Sequence, residues 1–346
     1  MSNSKPTVID LFCGCGGLSF GFIEAGYNVV LGIDHWKDAI ATFENTHNNA
    51  KGLVADLFNE TPKEISSKTG IKKVDLIIGG PPCQGFSIAG KRIIDDERNK
   101  LYKSFVDFVK FYKPSVFLME NVPNIVSMGQ GIVKETIIKD FENLGYKVVC
   151  KVLLASEFGV PQNRRRAFFI GTKNKEEFIF PLPINQKTVT SKEAISDLTE
   201  NTISDGTKYK TVPKSDYQKM IRKGSNSIFN HEITNHSEQT VEIISLVPDG
   251  GNYKNLPEHL HKTRNVNIAW TRLNSQKPSF TIDTGHRHHF HYKYNRVPTV
   301  RESARIQSFP DTFIFLGSKT SQYKQVGNAV PPLLAKVLAE EIKKYI

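Results

Sequence analysis

The sequence predicts an α/β protein whose core is an open, largely parallel, Rossmann-like sheet. Three short apolar runs, at residues 7–12, 29–33 and 74–78, are rich in β-branched side chains and stop at glycines or acids, as buried strands do. Between the first two runs, residues 18–25 are amphipathic and are closed by Gly26, which is typical of a helix and its end. Strands that alternate with helices form parallel sheets, and such sheets bind ligands beyond the carboxyl ends of their strands.

Length and composition limit the class of protein. The chain has 346 residues and a net charge of +11; the length predicts two domains, and the charge predicts an anionic partner, most commonly nucleic acid. No run reaches the ~18–20 apolar residues of a transmembrane helix, and residues 1–6 are too short and polar for a signal peptide, so we expect a cytosolic protein. The cysteines are too few and too scattered for a disulfide framework or a zinc site; they are Cys13, Cys15, Cys83 and Cys150.

The first predicted strand leads into a glycine-rich turn. Residues 13–17 read Cys-Gly-Cys-Gly-Gly, and the amphipathic stretch follows directly. A strand, a glycine turn and a helix form a nucleotide-binding unit, in which amides at the helix N-terminus hold a polar or anionic group. The turn is tighter than the G-x-G-x-x-G of dinucleotide folds.

Acidic residues follow the second and third predicted strands. Asp34 ends the run at 29–33 and precedes His35, and Asp56 follows Val54-Ala55. A carboxylate at the tip of the second strand suits a ribose diol, with an adjacent ring available to an adenine, and Asp56 suits an adenine amino group. Either aspartate alone is also compatible with a helix cap. Together with the glycine turn, the two acids predict a ribonucleoside-type cofactor.

A thiol follows the fourth predicted strand. Residues 79–87 read Gly-Gly-Pro-Pro-Cys-Gln-Gly-Phe-Ser, so Cys83 lies on a loop that two prolines stiffen and that glycines open to close approach by another molecule. This display predicts a nucleophile. The alternative is a small buried hydrophobic side chain, the usual role of a free cysteine.

Two further segments bring charged groups to the same edge of the sheet. The predicted strand at 114–119 delivers Glu120, and three arginines at 164–166 precede a predicted strand at 167–172. A thiol, a carboxyl group and an arginine cluster therefore converge on one rim.

The whole set of motifs resembles that of the DNA (cytosine-5) methyltransferases. Besides the Pro-Cys-Gln block around Cys83, the set comprises Asp-Leu-Phe-x-Gly-x-Gly-Gly at 10–17, Arg-Glu-x-x-Arg-x-Gln-x-Phe-Pro at 301–310 and Gln-Val-Gly-Asn-Ala-Val-Pro at 325–331. The blocks occur in family order, and only the stretch 173–297 lacks a strong family pattern. The resemblance implies the Rossmann-like sheet of S-adenosylmethionine-dependent methyltransferases, with a smaller, variable target-recognition domain.

The resemblance implies methylation of carbon 5 of a cytosine in duplex DNA. Cys83 would add to carbon 6 of the base, because covalent addition makes carbon 5 nucleophilic. Glu120 would hydrogen-bond the exocyclic amine and N3, and Arg166, with Arg164 beside it, would contact the base carbonyl oxygen and favour the thiolate of Cys83. The target base would leave the duplex, because a stacked cytosine hides carbon 6.

Cofactor and DNA contacts also follow from the resemblance. S-adenosylmethionine would be held by Phe12, Gly14, Gly16, Gly17, Asp34, His35, Asp56, Leu57, Pro82, Leu101, Asn328 and Ala329. Duplex DNA would be contacted by Gln84, Ser87 and Arg92. Two positions depart from the family pattern: Arg165 stands where the family normally has a glutamate, and Asp34 is shorter than the commoner glutamate but still a workable diol ligand.

The motif positions predict four segments. Residues 1–172 form the catalytic and cofactor-binding domain, 173–297 the target-recognition domain, 298–324 a connecting hinge, and 325–346 a segment that returns to the catalytic domain with a helix at 333–345. Polar, lysine-rich sequence in the target-recognition domain would bind phosphates, while a few side chains read base edges in the major groove.

The histidine cluster at 286–291 matches no standard zinc pattern and has no cysteine nearby, so we predict that the protein holds no metal. A DNA-facing loop, a hinge loop and a solvated loop all stay open for these residues.

The predicted partners are double-stranded DNA and, functionally, a cognate restriction endonuclease that forms no stable complex. The chain would act as a monomer in the bacterial cytosol, near the nucleoid. One alternative is an RNA (tRNA) cytosine-5 methyltransferase; unrelated RNA enzymes use two cysteines, but Cys150 falls in the predicted strand at 148–153 and is expected to be buried. The other is a catalytically silent DNA-binding regulator, which would not need Cys83, Glu120 and Arg166.

Overall fold

The computed structural model describes residues 5–82, 100–173, 176–184, 187–263, 270–285 and 289–346. The predicted nucleophile Cys83 and the predicted DNA contacts Gln84, Ser87 and Arg92 lie outside these residues. The chain divides into two compact units. Unit one comprises Met1–Leu154, Arg165–Pro183 and Leu334–Ile346, and unit two comprises Ala155–Arg164 and Ile184–Leu333.

Unit one is built on a seven-stranded sheet. Its strands are β1 Thr7–Leu11, β2 Asn28–Asp34, β3 Lys51–Val54, β4 Leu76–Gly79, β5 Val116–Asn121, β6 Lys147–Leu154 and β7 Arg165–Thr172. They lie in the order β3-β2-β1-β4-β5-β7-β6. β1 to β5 are parallel, whereas β7 is antiparallel to both β5 and β6. The predicted α/β class with a largely parallel, Rossmann-like sheet is confirmed.

The strand order reverses between β1 and β4. The chain runs outward from β1 to β3 on one side and from β4 to β5 on the other. Ligands of open α/β sheets bind at such a switch point, beyond the carboxyl ends of the strands. The glycine turn follows β1, and the segment that leads to Cys83 follows β4, so both begin at this point.

Among the described residues, five α-helices lie between consecutive strands of this sheet. They are α1 Gly17–Glu24, α2 Lys37–Thr46, α3 Pro62–Thr69, α4 Lys100–Tyr112 and α5 Ile132–Glu142, with 3-10 helices at Pro123–Val126 and Met128–Gly131. Aromatic side chains from three elements meet in the core: Phe105 of α4, Phe117 of β5 and Phe141 of α5 are fully buried. The rings of Phe117 and Phe141 stack with centroids 4.0 Å apart, and such pairs stabilise a core beyond their buried area.

Unit two consists of shorter elements. They are α6 Ser191–Ile195, β8 Thr207–Lys208, α7 Asp216–Ile221, β9 Ser227–Ile228, α8 Glu238–Ser245, β10 Thr271–Arg272, β11 His289–Phe290, α9 Val300–Ile306 and α10 Lys319–Asn328, with 3-10 helices at Ala155–Phe158, Tyr253–Asn255 and Glu258–Thr263. The chain then continues into α11 Pro332–Ile342 and a last 3-10 helix, Lys343–Tyr345. An apolar cluster that includes Ile244, Trp270 and Phe290 is buried in unit two.

A network of buried charges joins distant segments of unit two. Arg305 of α9 donates to Asp197 Oδ1 at 2.5 Å and to Asp311 Oδ2 at 2.6 Å. Arg222 donates to the other oxygen of Asp197 at 3.1 Å, and the Tyr209 hydroxyl donates to Asp311. Each buried charge thus has an oppositely charged partner, as burial requires.

The two compact units do not follow the four predicted segments residue by residue. Residues 155–164 and 298–333 belong to unit two, and residues 176–183 belong to unit one. The helix predicted at 333–345 is α11 with the 3-10 turn after it. Within the described ranges, no helix has the length and apolar character needed to cross a membrane.

Candidate functional site

The glycine turn between β1 and α1 is held by the tip of β2. Gly14 and Gly16 have φ values of 53° and 89°, in the left-handed region that favours glycine. The Gly16 N–H donates to Cys13 O at 2.9 Å, and the Gly14 N–H donates to Asp34 Oδ2 at 2.9 Å. Gly16 is the N-cap of α1 and makes no side-chain cap hydrogen bond.

Asp34 uses both carboxylate oxygens to link two loops. While Oδ2 accepts from Gly14, Oδ1 accepts from the Trp36 N–H at 2.9 Å. The N-cap of α2 is Trp36, so Asp34 is not the cap that the alternative interpretation requires. The exposed ring of His35 lies beside this carboxylate, with Nδ1 3.3 Å from Oδ1.

Asp56 lies exposed in the loop after β3. Its Oδ1 accepts from the Phe58 N–H at 3.0 Å, and its Oδ2 accepts from Asn59 Nδ2 at 2.8 Å. The N-cap of α3 is Thr61, which shares a capping box with Glu64. Asp56 therefore shapes its own loop and does not cap α3.

A cavity of about 300 Å³ lies at these strand ends in unit one. Seven of the predicted cofactor residues line it: Phe12, Asp34, His35, Asp56, Leu57, Pro82 and Leu101. Ala55 and Phe58 also line it, and the sequence analysis missed both. Phe58 is an aromatic residue two positions after Asp56, and the structure exposes 42% of its surface.

Asp10 is a further residue that the sequence analysis did not single out. It lies inside β1 and is 1% exposed, and Ser19 is the hydrogen-bonding residue beside its carboxylate. Burial raises the pKa of Asp10 to about 7, the nearby charge of Asp34 raises it further, and Ser19 offsets only part of this effect. A buried carboxylate of this kind fits a cationic ligand, because a positive partner relieves the cost of its charge.

Glu120 and Arg166 form an ion pair on adjacent strands. Arg166 Nε lies 2.8 Å from Glu120 Oε1, and both side chains are mostly buried. The pairing of β5 with β7 sets Glu120 opposite Phe168 and Asn121 opposite Ala167. The strand predicted at 114–119 runs over Val116–Asn121, and Glu120 lies at its carboxyl end, to which the sequence pattern assigned it.

The same carboxylate lies against the backbone that leads to Cys83. A Cβ on Gly80 would lie 2.8 Å from Glu120 Oε2, so a larger residue at position 80 would force the carboxylate to shift. The neighbouring Asn121 donates from Nδ2 to Pro81 O at 3.0 Å. The structure therefore brings Glu120 and Arg166 to the start of the predicted nucleophile loop.

Arg164 lies in unit two and is almost fully buried. Its Nη1 donates to Ile282 O at 3.1 Å and its Nη2 to Gly327 O at 2.8 Å. These two hydrogen bonds tie Arg164 to other segments of unit two. Its contact with a base stays a prediction. Asn328 is the last residue of α10, and the carbonyl of the following Ala329 accepts from Gln307 Nε2 at 2.5 Å.

Two other candidate residues have simple surroundings. Cys150 lies on β6, at the edge of the sheet, and is only partly buried, so the expectation of a buried thiol was wrong; partial burial nevertheless raises the pKa of this thiol to about 11. Of the histidine cluster, residues 286–288 lie outside the described ranges, while His289 and His291 are buried. The described residues contain no group of three or more metal-ligating side chains.

Comparisons with known proteins agree with this geometry. The family described as C-5 cytosine-specific DNA methylase matches residues 6–344. The chain is 42% identical to the Type II methyltransferase M1.HphI of Haemophilus parahaemolyticus, over 98% of this chain and 87% of that protein. It is also 42% identical to the Type II methyltransferase M.DdeI of Desulfomicrobium norvegicum, over 98% of this chain and 88% of that protein.

A solved structure is similar over the whole length. It is a crystal structure assigned as a prophage-encoded DNA modification methyltransferase (E. coli), with a TM-score of 0.80, 27% identity and 99% of each chain covered. The family match and both relatives cover nearly the whole chain. The chain belongs to the C-5 cytosine-specific DNA methylase family and is a DNA (cytosine-5) methyltransferase.

Proposed function

We propose that this enzyme transfers a methyl group from S-adenosylmethionine to carbon 5 of a cytosine within a specific duplex DNA sequence. The relatives named Type II methyltransferases support a role in a restriction–modification system, in which methylation protects host DNA from a separate endonuclease. On this proposal the chain works as a monomer in the bacterial cytosol.

The residues at the switch point of the sheet fit the cofactor. The cavity of about 300 Å³ has a carboxylate, Asp34, suited to a ribose diol and an exposed ring, Phe58, suited to an adenine face. The buried carboxylate of Asp10 suits a cation, and S-adenosylmethionine carries a sulfonium and an ammonium group. When bound, the cofactor supplies an electrophilic methyl group.

The chain's own residues prepare the cytosine. The Cys83 thiolate adds to carbon 6, which turns the ring into an enamine with a nucleophilic carbon 5. Glu120 hydrogen-bonds the exocyclic amine and N3 and stabilises the charge that develops there. Arg166, whose Nε is 2.8 Å from Glu120 Oε1, holds that carboxyl group in place.

The reaction balances without any further reactant. Carbon 5 takes the methyl group, and S-adenosylhomocysteine would leave with the electron pair of the broken sulfur–methyl bond. The carbon 5 proton then leaves to a base, and the electron pair of that bond expels the Cys83 thiolate and restores the aromatic ring. The target base is flipped out of the duplex, since neither carbon 6 nor the Watson–Crick edge is accessible in the stack.

The observation that carries the proposal is the position of Glu120. Its Oε2 lies where a Cβ on Gly80 would come within 2.8 Å, and Cys83 follows Gly80 by three residues. A carboxylate held by an arginine, next to the chain that displays a thiol, matches the groups that cytosine activation needs.

The test is methyl transfer from labelled S-adenosylmethionine to duplex DNA and, separately, to tRNA. We expect label in the DNA alone, and bisulfite sequencing of DNA from expressing cells then gives the target sequence.

Cys83→Ser should abolish transfer while cofactor and DNA binding persist, because a serine hydroxyl has too high a pKa to add to the base unaided. A duplex with 5-fluorocytosine at the target should trap a covalent adduct with the wild-type protein. Near-normal turnover by Cys83→Ser would overturn the mechanism, and label in tRNA alone would overturn the substrate.

A further inference from the structure

A buried histidine lies beneath the glycine turn of unit one. His47 follows the last residue of α2 and is 1% exposed. Its ring stacks on that of Phe43, with centroids 4.0 Å apart and planes at 12°. A Cβ on Gly16 would lie 2.4 Å from His47 Cε1 and 2.8 Å from His47 Nε2. The imidazole ring therefore packs directly against Gly16.

The two ring nitrogens of His47 have different partners. Nδ1 lies 3.0 Å from Phe43 O and 2.9 Å from Thr46 Oγ1. Nε2 lies 3.1 Å from Ser19 Oγ. Because the Ser19 hydroxyl donates its single hydrogen to Gly16 O, its oxygen accepts from the ring hydrogen on Nε2. Burial lowers the pKa of His47 to about 4, so the ring is neutral near pH 7.

Ser19 connects this histidine to the turn. Besides contacting Nε2, its Oγ lies 3.3 Å from Gly16 O. Gly16 O also accepts from the Phe20 N–H at 2.8 Å, which is the first hydrogen bond of α1. Gly16 is the N-cap of α1 and makes no side-chain cap hydrogen bond. The contact of Ser19 with Gly16 O therefore acts at the point where the turn meets α1.

We propose that His47 is a positioning residue for S-adenosylmethionine: its imidazole, acting through Ser19 and Gly16, fixes the glycine turn that holds the cofactor. This inference rests on the proposed function of the turn. His47 does not line the cavity described above, so it acts through these neighbours and does not touch the cofactor.

The test separates the two nitrogens of the ring. The side chain in His47→Asn reaches only the place of Nδ1 and loses the contact with Ser19, whereas the longer side chain in His47→Gln restores an N–H donor near the place of Nε2. By titration calorimetry with S-adenosylmethionine and with S-adenosylhomocysteine, His47→Asn and Ser19→Ala should each raise Kd about tenfold. His47→Gln should stay within about twofold of the wild type, and the double variant His47→Asn/Ser19→Ala should bind no more weakly than either single variant. At saturating cofactor, kcat should change by less than about twofold.

His231 offers a matched control, since it is also a fully buried histidine with hydrogen bonds to Thr299 and Thr199, but it lies in unit two. His231→Asn should lower the Tm and leave Kd unchanged. Unchanged Kd in both His47→Asn and Ser19→Ala, additive effects in the double variant, or an equal loss in His231→Asn would each overturn the inference. If His47→Asn does not fold, Ser19→Ala alone decides. A wild-type protein that binds no S-adenosylmethionine would instead overturn the proposed function.

Discussion

Among single residues, Asp34 combines two roles in one carboxylate. It accepts from Gly14 and from Trp36, and it lines the cavity at the strand ends. A carboxylate has about four acceptor positions, so two backbone bonds leave capacity for a ribose diol. The same side chain thus holds the two loops together and lines the cavity beside them.

We expect Asp34→Ala to weaken S-adenosylmethionine binding by about 1–3 kcal/mol, because the diol and two backbone amides lose their acceptor. Calorimetry measures the loss, and Asp38→Ala, at a position in α2 that does not line the cavity, is the control. Asp34→Asn should lose less, since its amide oxygen still accepts. Unchanged affinity in Asp34→Ala would reduce Asp34 to a loop-bracing residue.

Asp10 predicts a pH dependence of stability. Its pKa is raised to about 7 in the folded protein and is about 3.9 in an unfolded chain. The folded state therefore binds more protons between these values, and this carboxyl lowers the stability progressively as pH rises from about 4 to about 7. Relative to the wild type, Asp10→Asn should gain up to about 1.4 kcal/mol in the free energy of unfolding per pH unit over that window.

Urea unfolding of both proteins between about pH 5 and pH 8 measures this difference. The exposed Asp107 gives the control variant Asp107→Asn, which should track the wild type. Parallel pH profiles for Asp10→Asn and the wild type would contradict a raised pKa at this site.

Residues that act at loop tips were predictable, and buried ones were not. Asp34, Asp56 and Pro82 follow apolar runs, so their positions at the strand ends are visible in the sequence. Asp10 sits inside such a run, and the burial that makes it unusual comes from neighbouring strands. His47 likewise has no local signal, because its contacts with Ser19 and Gly16 arise only when α1 and α2 are packed.

Within single elements, β4 shows how closely the central strands approach each other. A Cβ on Gly79 would lie 2.1 Å from Leu11 O, in the pairing of β1 with β4. That oxygen is backbone and cannot rotate away. The carboxyl ends of the two strands that flank the switch point can lie this close only with glycine at residue 79.

We expect Gly79→Ala to lower the free energy of unfolding by about 3 kcal/mol, because the two strands must separate to admit a methyl group. Chemical denaturation measures the loss. Gly70→Ala is the control: Gly70 has a φ of 75° and an open space around it, so only the backbone cost of about 1–2 kcal/mol applies. Equal losses in the two variants would show that β1 and β4 adjust freely.

The end of β5 was not predictable from its own residues. Glu120 and Asn121 are polar, and the apolar pattern stops before them. They remain in the strand because β7 pairs with them through Phe168 and Ala167. A pairing partner more than 40 residues away in the sequence thus decides where the strand ends.

For the molecule as a whole, the buried charges of unit two set the limits of any exchange of target specificity. Asp197 and Tyr209 lie in the segment predicted to read DNA, whereas their partners Arg305 and Asp311 lie beyond residue 297. Sequence patterning alone predicted a variable segment at 173–297 but not these partners, because the contacts join residues about 100 positions apart.

We expect replacement of residues 173–297 by the equivalent segment of another family member to transfer that enzyme's target sequence. If the donor lacks an acid at the position of Asp197, Arg305 loses a buried partner, which costs about 3–5 kcal/mol. Replacement of 184–333 should then give the same new target with a higher Tm. Bisulfite sequencing and thermal unfolding measure the two effects. A folded, active chimera that still methylates the original sequence would place target recognition elsewhere.

The division of the chain also dictates an order of assembly on the ribosome. Unit one needs Leu334–Ile346, where the carbonyl of Ala339 accepts from the Tyr27 hydroxyl at 2.9 Å and Leu338 is fully buried. Every residue of unit two has been translated before this last segment emerges. Because domains fold as units during synthesis, the unit that begins first is completed last. Until residues 334–346 have been translated, the chain carries all seven strands of the sheet but lacks the segment that completes unit one.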